Sequence, residues 1–156
     1  MNGVSDLQAF EERLAALIAN LSPASRKQMA ADIAKRLRAS QQANIKAQRA
    51  PDGTPFAARK TQKIREKKGR VKREMFTKMR TNKYMKAKAT GSDASVEFTG
   101  KVQRIARVNH YGLRDKITRN SHGKEVKYDA RPLLGFSEDD IQVVKSIIIT
   151  SLSSLN

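Results

Sequence analysis

The chain has 156 residues, and its 32 Lys and Arg against 15 Asp and Glu give it a formal net charge of +17. Because it contains no cysteine, it can form neither a disulfide framework nor a thiolate metal site. Its most apolar stretch, residues 141–155, is shorter than the roughly 20 residues that a membrane span needs, and no basic segment leads into an apolar one near the N-terminus. We therefore expect a chain with no secretory signal and no membrane partner, in a cytoplasmic environment.

The excess of basic residues is concentrated in the middle of the chain. Residues 49–88 hold 15 basic and 3 acidic side chains, a net +12, whereas residues 1–48 and 89–156 carry only +3 and +2. The two flanking segments therefore have the balanced charge of ordinary folded structure. A uniformly basic, histone-like chain is excluded.

Two helices are predicted in the N-terminal third. Residues 5–8, Ser-Asp-Leu-Gln, fit a capping box in which the side chains of Ser5 and Gln8 satisfy each other's free backbone N–H groups. Ser22 and Pro23 then supply an N-cap and a first helical residue for a second helix. The first helix has apolar residues at helical spacing, namely Leu7, Phe10, Leu14, Leu17, Ile18 and Leu21. The pair is predicted to form a helical hairpin.

The second helix has an apolar stripe of Met29, Ile33 and Leu37. Polar residues 40–42 interrupt this stripe, so we expect the far end of the helix to be exposed or covered by another subunit. The helix must end before residues 51–55, Pro-Asp-Gly-Thr-Pro, because Pro and Gly in this order favour a tight turn.

A basic segment and a third helix are predicted next. Residues 57–73 are dominated by Arg and Lys, and such a composition cannot bury itself. We predict an extended arm here, protease-sensitive in isolated subunits and ordered only on assembly. The helix is predicted from residue 70 to residue 82, with a narrow apolar face of Val71, Met75, Phe76 and Met79.

A hairpin and a short helix follow. Residues 84–90 and 94–99 flank Gly-Ser-Asp, and the second of these segments alternates apolar with polar side chains, which predicts a β-hairpin. Residues 101–111 have apolar side chains at helical spacing. This helix is predicted to end at Gly112, a suitable residue for a left-handed cap.

Residues 113–119 and 124–128 predict a second, more polar hairpin around Asn-Ser-His-Gly. A last helix is predicted after Ser137, where three successive carboxylates would lie at its positive end. Its apolar residues cover more than one stripe, so we expect it to be buried on two sides, either in the core or against another subunit.

These elements predict an α+β fold: an N-terminal helical hairpin, a basic extended arm and central helix, a small antiparallel β-sheet and a C-terminal helix. A chain of this length buries enough surface for one core. We predict a single domain over residues 1–156, in which residues 1–48 form the hairpin, 49–69 the arm and 70–156 the α+β core.

The sequence contains little that indicates catalysis. No phosphate loop or dinucleotide motif is present, and two histidines leave little material for a metal site. Serines and aspartates are plentiful and His110 could act as a base, but a hydrogen-bonded structural histidine is the more common use of such a residue. We therefore predict no enzyme activity, no catalytic residue, no metal and no cofactor.

Three interpretations of the basic segment remain open: a solvated linker, a contact to nucleic-acid backbone, or an arm that docks on an acidic surface of a partner subunit. Few aromatic residues lie nearby and tryptophan is absent, which disfavours base stacking. Any DNA contact would therefore be directed at phosphates. The candidates for that contact are Arg59, Lys60, Lys63, Arg65, Lys67 and Lys68.

Four sequence blocks, in this order, resemble the phage virion morphogenesis, or tail completion, family of contractile-tailed temperate bacteriophages. The blocks are residues 47–57 (AQRAPDGTPFA), 69–76 (GRVKREMF), 108–113 (VNHYGL) and 128–136 (YDARPLLGF). The chain departs from the family pattern in having Asn-His-Tyr-Gly at residues 109–112 and Asp129 in place of a common proline. The resemblance covers nearly the whole chain.

The resemblance implies a non-enzymatic virion component that completes the head-proximal end of a phage tail and enables head-tail joining. It implies a homo-oligomeric ring, most often hexameric, in the neck or at the tail end of the virion, with assembly in the bacterial host cytoplasm. The expected partners are tail tube or terminator proteins, head-connector proteins and the backbone of DNA passing through the lumen. The alternative is a nonspecific nucleic-acid-binding protein that acts through residues 49–88.

The candidate contact residues come from these blocks and the basic segment between them. They are Pro51, Asp52, Gly53, Phe56, Arg59, Lys60, Lys63, Arg65, Lys67, Lys68, Arg70, Arg73, His110, Tyr111, Gly112, Arg131, Pro132 and Leu133.

Overall fold

The computed structural model describes residues 3–59, 74–116 and 124–154. Within these ranges the chain forms the helices α1 (Gly3–Ala19), α2 (Pro23–Lys46), α3 (Gln103–Tyr111) and α4 (Glu138–Ser153). It also forms the strands β1 (Met85–Ala89), β2 (Ala94–Phe98), β3 (Arg114–Lys116) and β4 (Glu125–Lys127). β1 pairs with β2 and β3 with β4, each pair as a separate two-stranded sheet. The predicted α+β class and the strand pairing of both predicted hairpins are confirmed, and residues 117–123 of the second hairpin lie outside the described residues.

The chain folds into two compact units. Unit 1 comprises Met1–Leu37, Ala87–Ser95 and Glu138–Asn156, and unit 2 comprises Arg38–Lys86 and Val96–Ser137. Helix α2 therefore contributes its first two thirds to unit 1 and its last third to unit 2. A single domain over residues 1–156 stays a prediction.

In unit 1, the start of α2 is as predicted and the start of α1 is not. The Ser25 backbone N–H donates to the Ser22 hydroxyl oxygen at 3.1 Å, so Ser22 caps α2 and Pro23 is its first residue. The capping box at residues 5–8 is wrong, because α1 begins at Gly3 and Ser5 lies inside its first turn. The Gln8 amide instead donates to Glu12 one turn later, at 3.4 Å.

The predicted stripe of α2 is confirmed, since Met29 and Leu37 are buried with Ala30 and Ala34 beside them. The stripe of α1 is largely exposed, in contrast: Leu14 and Ile18 are half-buried, but Leu7, Phe10 and Leu17 are exposed. Over residues 138–153 the apolar side chains of α4 are half-buried or exposed, so burial of this helix on two sides within the monomer is wrong.

Unit 2 is built around a core to which α2, both strands of the first hairpin and α3 contribute. Its buried residues are Ile45, Met79, Met85, Phe98, Val102, Ala106 and Leu133. A 3₁₀ turn at Gly100–Val102 leads into α3, which ends at Gly112 in the left-handed conformation, with φ 67° and ψ 51°. The predicted short helix and its glycine cap are confirmed. In the second hairpin, Arg114, Asp115 and Lys116 pair antiparallel with Lys127, Val126 and Glu125.

Two predictions for unit 2 are wrong. The central helix predicted over residues 70–82 is absent from residues 74–82, which form bends and turns instead. Phe76 has a φ of 66°, which an α-helix does not allow, and the buried side chains of Met75 and Met79 enter the core from this irregular backbone. The far end of α2 is also buried rather than exposed, with Gln41, Asn44 and Ile45 all below 10% exposure.

Candidate assembly interface

Arg131 joins the last sequence block to the first. Its side chain is buried, and its guanidinium donates from Nε to the carbonyl oxygen of Ala57 at 2.8 Å and from Nη2 to that of Ala58 at 3.0 Å. The Asp129 carboxylate lies 3.8 Å from the guanidinium. A buried guanidinium costs free energy unless its N–H groups find acceptors. These bonds fix the backbone immediately before Arg59, where the basic segment begins.

Gln48 fixes the chain on the other side of the basic segment. Its side-chain Nε2 donates to the carbonyl oxygen of Met75 at 2.9 Å, and its Oε1 accepts the Met75 backbone N–H at 2.8 Å. The backbone carbonyl of Gln48 also accepts the N–H of Phe56 at 2.8 Å. One residue therefore binds to the chain before and after the basic segment.

The rings of Phe56 and Phe76 reinforce this arrangement. Their centroids are 5.7 Å apart with an interplanar angle of 89°, an edge-to-face contact, and both rings pack against the core of unit 2. The two ends of the basic segment consequently lie close together. The candidate residues between them lie outside the described residues: Lys60, Lys63, Arg65, Lys67, Lys68, Arg70 and Arg73.

The predicted turn at residues 51–55 is present and is held by backbone and side-chain hydrogen bonds. The N–H of Ala50 donates to Thr54 at 2.8 Å, and the N–H of Gly53 donates to Ala50 at 2.9 Å. The Asp52 carboxylate accepts the backbone N–H of Thr54 at 2.9 Å, and this bond lowers the pKa of Asp52. Gly53 has a φ of 91°, which supplies the left-handed conformation expected of it. Asp52 and Gly53 are exposed.

His110 connects the third block to the fourth. Its Nδ1 accepts the backbone N–H of Leu133 at 3.1 Å, so the proton of the neutral ring lies on Nε2. Burial lowers the pKa of His110, which favours this neutral form. The backbone N–H of Arg131 also donates to the carbonyl of Asn109 at 2.7 Å. His110 therefore has a structural role, as its position in the sequence favoured.

Gly112 and Gly135 lie where backbone or ring atoms of another block come close. A Cβ at Gly112 would lie 2.8 Å from the backbone nitrogen of Ala130, a separation that real Cβ atoms do not adopt. A Cβ at Gly135 would lie 3.0 Å from Cγ of Pro51. The first, third and fourth blocks are therefore packed against each other at two glycines.

Hydrogen bonds and close packing thus bring the four blocks together in unit 2. Arg131 and Leu133 are buried, and Pro51, Phe56, His110 and Gly112 are half-buried with contacts inside the unit. The candidates that remain exposed for contact with a partner are Asp52, Gly53, Arg59, Tyr111 and Pro132. Tyr111 is the most prominent of these, with 65% of its surface exposed and its ring edge-on to His110.

Exposed apolar residues in α1 were not among the predicted contact residues. Leu7, Phe10 and Leu17 are each more than 50% exposed, as is Phe136 in the fourth block. The spacing of the α1 residues was visible in the sequence, from which we predicted only that this helix forms a hairpin with α2. What the sequence did not indicate is that the rest of the monomer leaves this face uncovered.

The described residues contain no group of three or more His, Asp or Glu side chains that could hold a metal ion. Across the same parts of the chain, no helix combines the length and apolar character needed to cross a membrane. An ion pair on the surface of unit 2 joins Arg104 to Asp115, and its hydrogen bond holds the pKa of Asp115 below its usual range.

Comparison with known proteins agrees with the family resemblance of the four blocks. The profile of the phage virion morphogenesis family matches residues 5–153. The chain belongs to this family. It is 45% identical to the tail completion protein S of Escherichia phage P2 over 150 residues, which cover 96% of this chain and 99% of that protein. No solved structure matches it. Within the described residues, the blocks of this family member contribute Leu133 to the core of unit 2 and pack Phe56, Phe76 and Leu134 against it.

Proposed function

We propose that this protein is a structural, non-enzymatic component of a phage virion that completes the head-proximal end of the tail and makes it competent to join a DNA-filled head. The observation that carries the proposal is the 45% identity to the P2 tail completion protein over almost the full length of both chains. The agreement over 99% of that protein leaves little of it without a counterpart in this chain.

We infer that the protein acts as a ring, of which a hexamer is the expected form, in the neck or at the head-proximal tail end. The proposed partners are tail tube or terminator proteins on one side and head-connector proteins on the other. Large exposed apolar side chains support an assembling subunit, because a monomeric protein gains nothing from leaving them uncovered. Leu7, Phe10, Tyr111 and Phe136 are such side chains.

The basic segment would contact a neighbouring subunit or the DNA that passes through the ring. Support for this comes from its charge and from its fixed flanks. Arg131 holds residues 57 and 58, and Gln48 holds residue 75, so the segment begins and ends at defined positions on unit 2. A flexible tether would not need either anchor.

The test is deletion of the coding gene from the phage, with complementation by the wild-type gene. We expect filled heads and tails that fail to join, and full recovery of infectious particles on complementation. Labelled protein should then be found by electron microscopy at the head-proximal end of the tail. Normal virions without the gene, or a protein absent from tails, would contradict the proposal.

A second candidate function is nonspecific binding of duplex DNA, and one observation favours it. Residues 49–88 carry a net charge of +12, which a phosphate backbone would neutralise. Binding to duplex DNA that falls steeply between low and physiological salt would support this function, and a flat salt dependence would exclude it.

A further inference from the structure

Helix α1 presents an apolar face that its own chain leaves uncovered. Leu7, Phe10 and Leu17 are 57%, 55% and 53% exposed, and with Leu14 they recur every three or four residues, so they lie along one side of the helix. The side chains of residues 5–13 are exposed on every side of the helix. A helix of 17 residues is marginal in water by itself, so such a face favours a partner.

The same helix is acidic in a strongly basic chain. Asp6, Glu11 and Glu12 against Arg13 give α1 a net charge of −2, whereas the rest of the chain carries +19. Within the described residues, no Lys or Arg forms an ion pair with Asp6, Glu11 or Glu12. Glu12 accepts a hydrogen bond from Gln8. The acidic side chains are therefore available to a basic surface.

Pairing of α1 with a second α1 is disfavoured by charge. If the apolar stripe is taken as the core of a parallel two-helix coil, Asp6 and Glu11 occupy the flanking positions that face each other across the interface. Both are acidic, so they would repel. The partner surface should instead be apolar with cations at its edge.

Unit 1 contains a candidate surface between α2 and α4. The two helices line an open groove of about 420 Å³ with Asp32, Lys35 and Arg36 from α2 and Ser146, Ile147, Thr150 and Ser151 from α4. Most of the groove surface is carbon, contributed by Ile147 and by the aliphatic parts of the polar side chains. Lys35 and Arg36 are exposed at its edge.

We propose that α1 of one copy docks by its apolar face into the α2–α4 groove of a second copy, with Asp6 and Glu11, which flank that face, against Lys35 and Arg36. Amphipathic helices are commonly recognised in apolar grooves in this way. A second copy is the fitting occupant because one chain carries both a helix whose apolar face is flanked by carboxylates and a groove with cations at its edge. The lining of the groove includes no residue of α1, so the helix of the same chain does not fill it.

The contact is heterologous, because helix and groove are different surfaces of the same chain. Repeating it gives a closed ring if the rotation between copies is right, or a filament if it is not. The inference rests on the proposed function at one point: the proposed ring at the tail end requires a contact between copies of the chain.

The experiment measures self-association of the full-length purified chain by sedimentation velocity over a range of concentrations. One variant reverses the helix charges, Asp6→Lys with Glu11→Lys, and a second reverses the groove charges, Lys35→Glu with Arg36→Glu. We expect each variant alone to associate about ten-fold more weakly, because like charges then meet at every contact. An equimolar mixture of the two should recover association, since each helix again meets a groove of opposite charge.

Recovery in the mixture cannot arise from damaged folding, and it requires the contact to be between copies. A matched control reverses exposed charges elsewhere, Lys101→Glu in the 3₁₀ turn with Arg107→Glu on α3, and should leave association by this contact unchanged. A Phe10→Ser variant should also associate more weakly than wild type. Its helix content, measured by circular dichroism, should be the same as that of wild type.

Three results would overturn the inference. A wild-type chain that stays monomeric to its highest soluble concentration would do so, as would variants that associate as tightly as wild type. Loss of thermal stability without any change in association would show that α1 docks on its own chain. In each case gene deletion in the phage would still test the proposed function separately, because that test depends on virions and not on this contact.

Discussion

The Gln48 side chain binds both backbone polar groups of Met75, donating to its carbonyl oxygen at 2.9 Å and accepting its N–H at 2.8 Å. The two residues are 27 positions apart, and the basic segment lies between them. Gln48 follows the end of α2 with a φ of 56°, in the left-handed region that side chains other than glycine's seldom adopt. This backbone conformation places the Gln48 side chain where it can form both hydrogen bonds to Met75, and these bonds offset the strain.

We expect Gln48→Ala to destabilise unit 2 by about 2 kcal/mol, because both backbone groups of Met75 would lose a part-buried partner. Chemical denaturation followed by circular dichroism measures this change. Gln28→Ala is the matched control, since the Gln28 side chain bonds to Asp32 on the exposed face of its own helix. Equal effects of the two substitutions would show that the bridge to Met75 does not stabilise the fold.

Arg131 should be sensitive even to a conservative change. Lysine keeps the positive charge but cannot reach the carbonyls of Ala57 and Ala58 with two N–H groups in a fixed plane. We expect Arg131→Lys to cost about 1–2 kcal/mol of unfolding free energy and Arg131→Ala about 3 kcal/mol, because the latter leaves both carbonyls without a donor. The denaturation midpoint of each variant checks this.

The control for Arg131 is Arg104, whose ion pair with Asp115 lies on the surface and whose side chain is 75% exposed. Surface ion pairs contribute little, so Arg104→Ala should have a clearly smaller effect than Arg131→Ala. If the two alanine variants were equally stable, the buried guanidinium would not be an anchor of the fold.

Alanine substitutions at three glycines distinguish the cost of backbone strain from the cost of a steric clash. Gly112→Ala meets both, with a φ of 67° and a Cβ 2.8 Å from the Ala130 nitrogen, so we expect a loss of about 3 kcal/mol or more. Gly53→Ala meets only the strain of a φ of 91° in open space and should cost about 1 kcal/mol. Gly91→Ala has neither and should fall within about 0.5 kcal/mol of wild type. Thermal unfolding should rank the variants in this order, and a stable Gly112→Ala chain would show that the close approach is absent in solution.

The sequence predicted the elements whose signals are local. The Ser22 cap of α2, the turn at residues 51–55, both hairpins and the Gly112 cap each depend on residues within a few positions of one another. Such signals do not depend on contacts with distant residues, so they can be recognised in a single sequence. The resemblance to the family likewise identified the blocks but not what they do inside the monomer.

The wrong predictions concern residues whose partners are distant in sequence. Residues 40–42 are polar and were expected at an exposed helix end, but the Gln41 amide donates to the Gly135 carbonyl at 2.8 Å and accepts its N–H at 3.2 Å, across 94 positions. A polar side chain can be buried when its hydrogen bonds are satisfied. The helix predicted from the apolar spacing at residues 75–79 is wrong for the same reason. Contacts with the distant residues Gln48 and Phe56 hold this backbone in turns.

The pH dependence of stability should depend on His110. Burial lowers its pKa in the folded chain below the unfolded value of about 6.5, so between these two values the unfolded chain holds more protons than the folded one. The stability from neutral His110 is therefore fully present above about pH 6.5 and is lost as the pH falls towards the folded pKa. Protonation of Nδ1 would also remove the acceptor of the Leu133 N–H.

Denaturation midpoints between about pH 5 and 7 test this dependence, a range in which histidine is the side chain that normally titrates. His110→Asn keeps an acceptor near the Nδ1 position without a titratable group, so its stability should fall less steeply with decreasing pH than that of wild type. His122→Asn alters the second of the two histidines and should leave the slope that is due to His110 intact. The carboxyls of Asp52 and Asp115, whose pKa values are lowered, titrate below this range. If stability fell equally steeply with decreasing pH for wild type and His110→Asn, the His110 imidazole would have the same pKa in the folded and unfolded chains. That result would contradict the effect of its burial against Leu133.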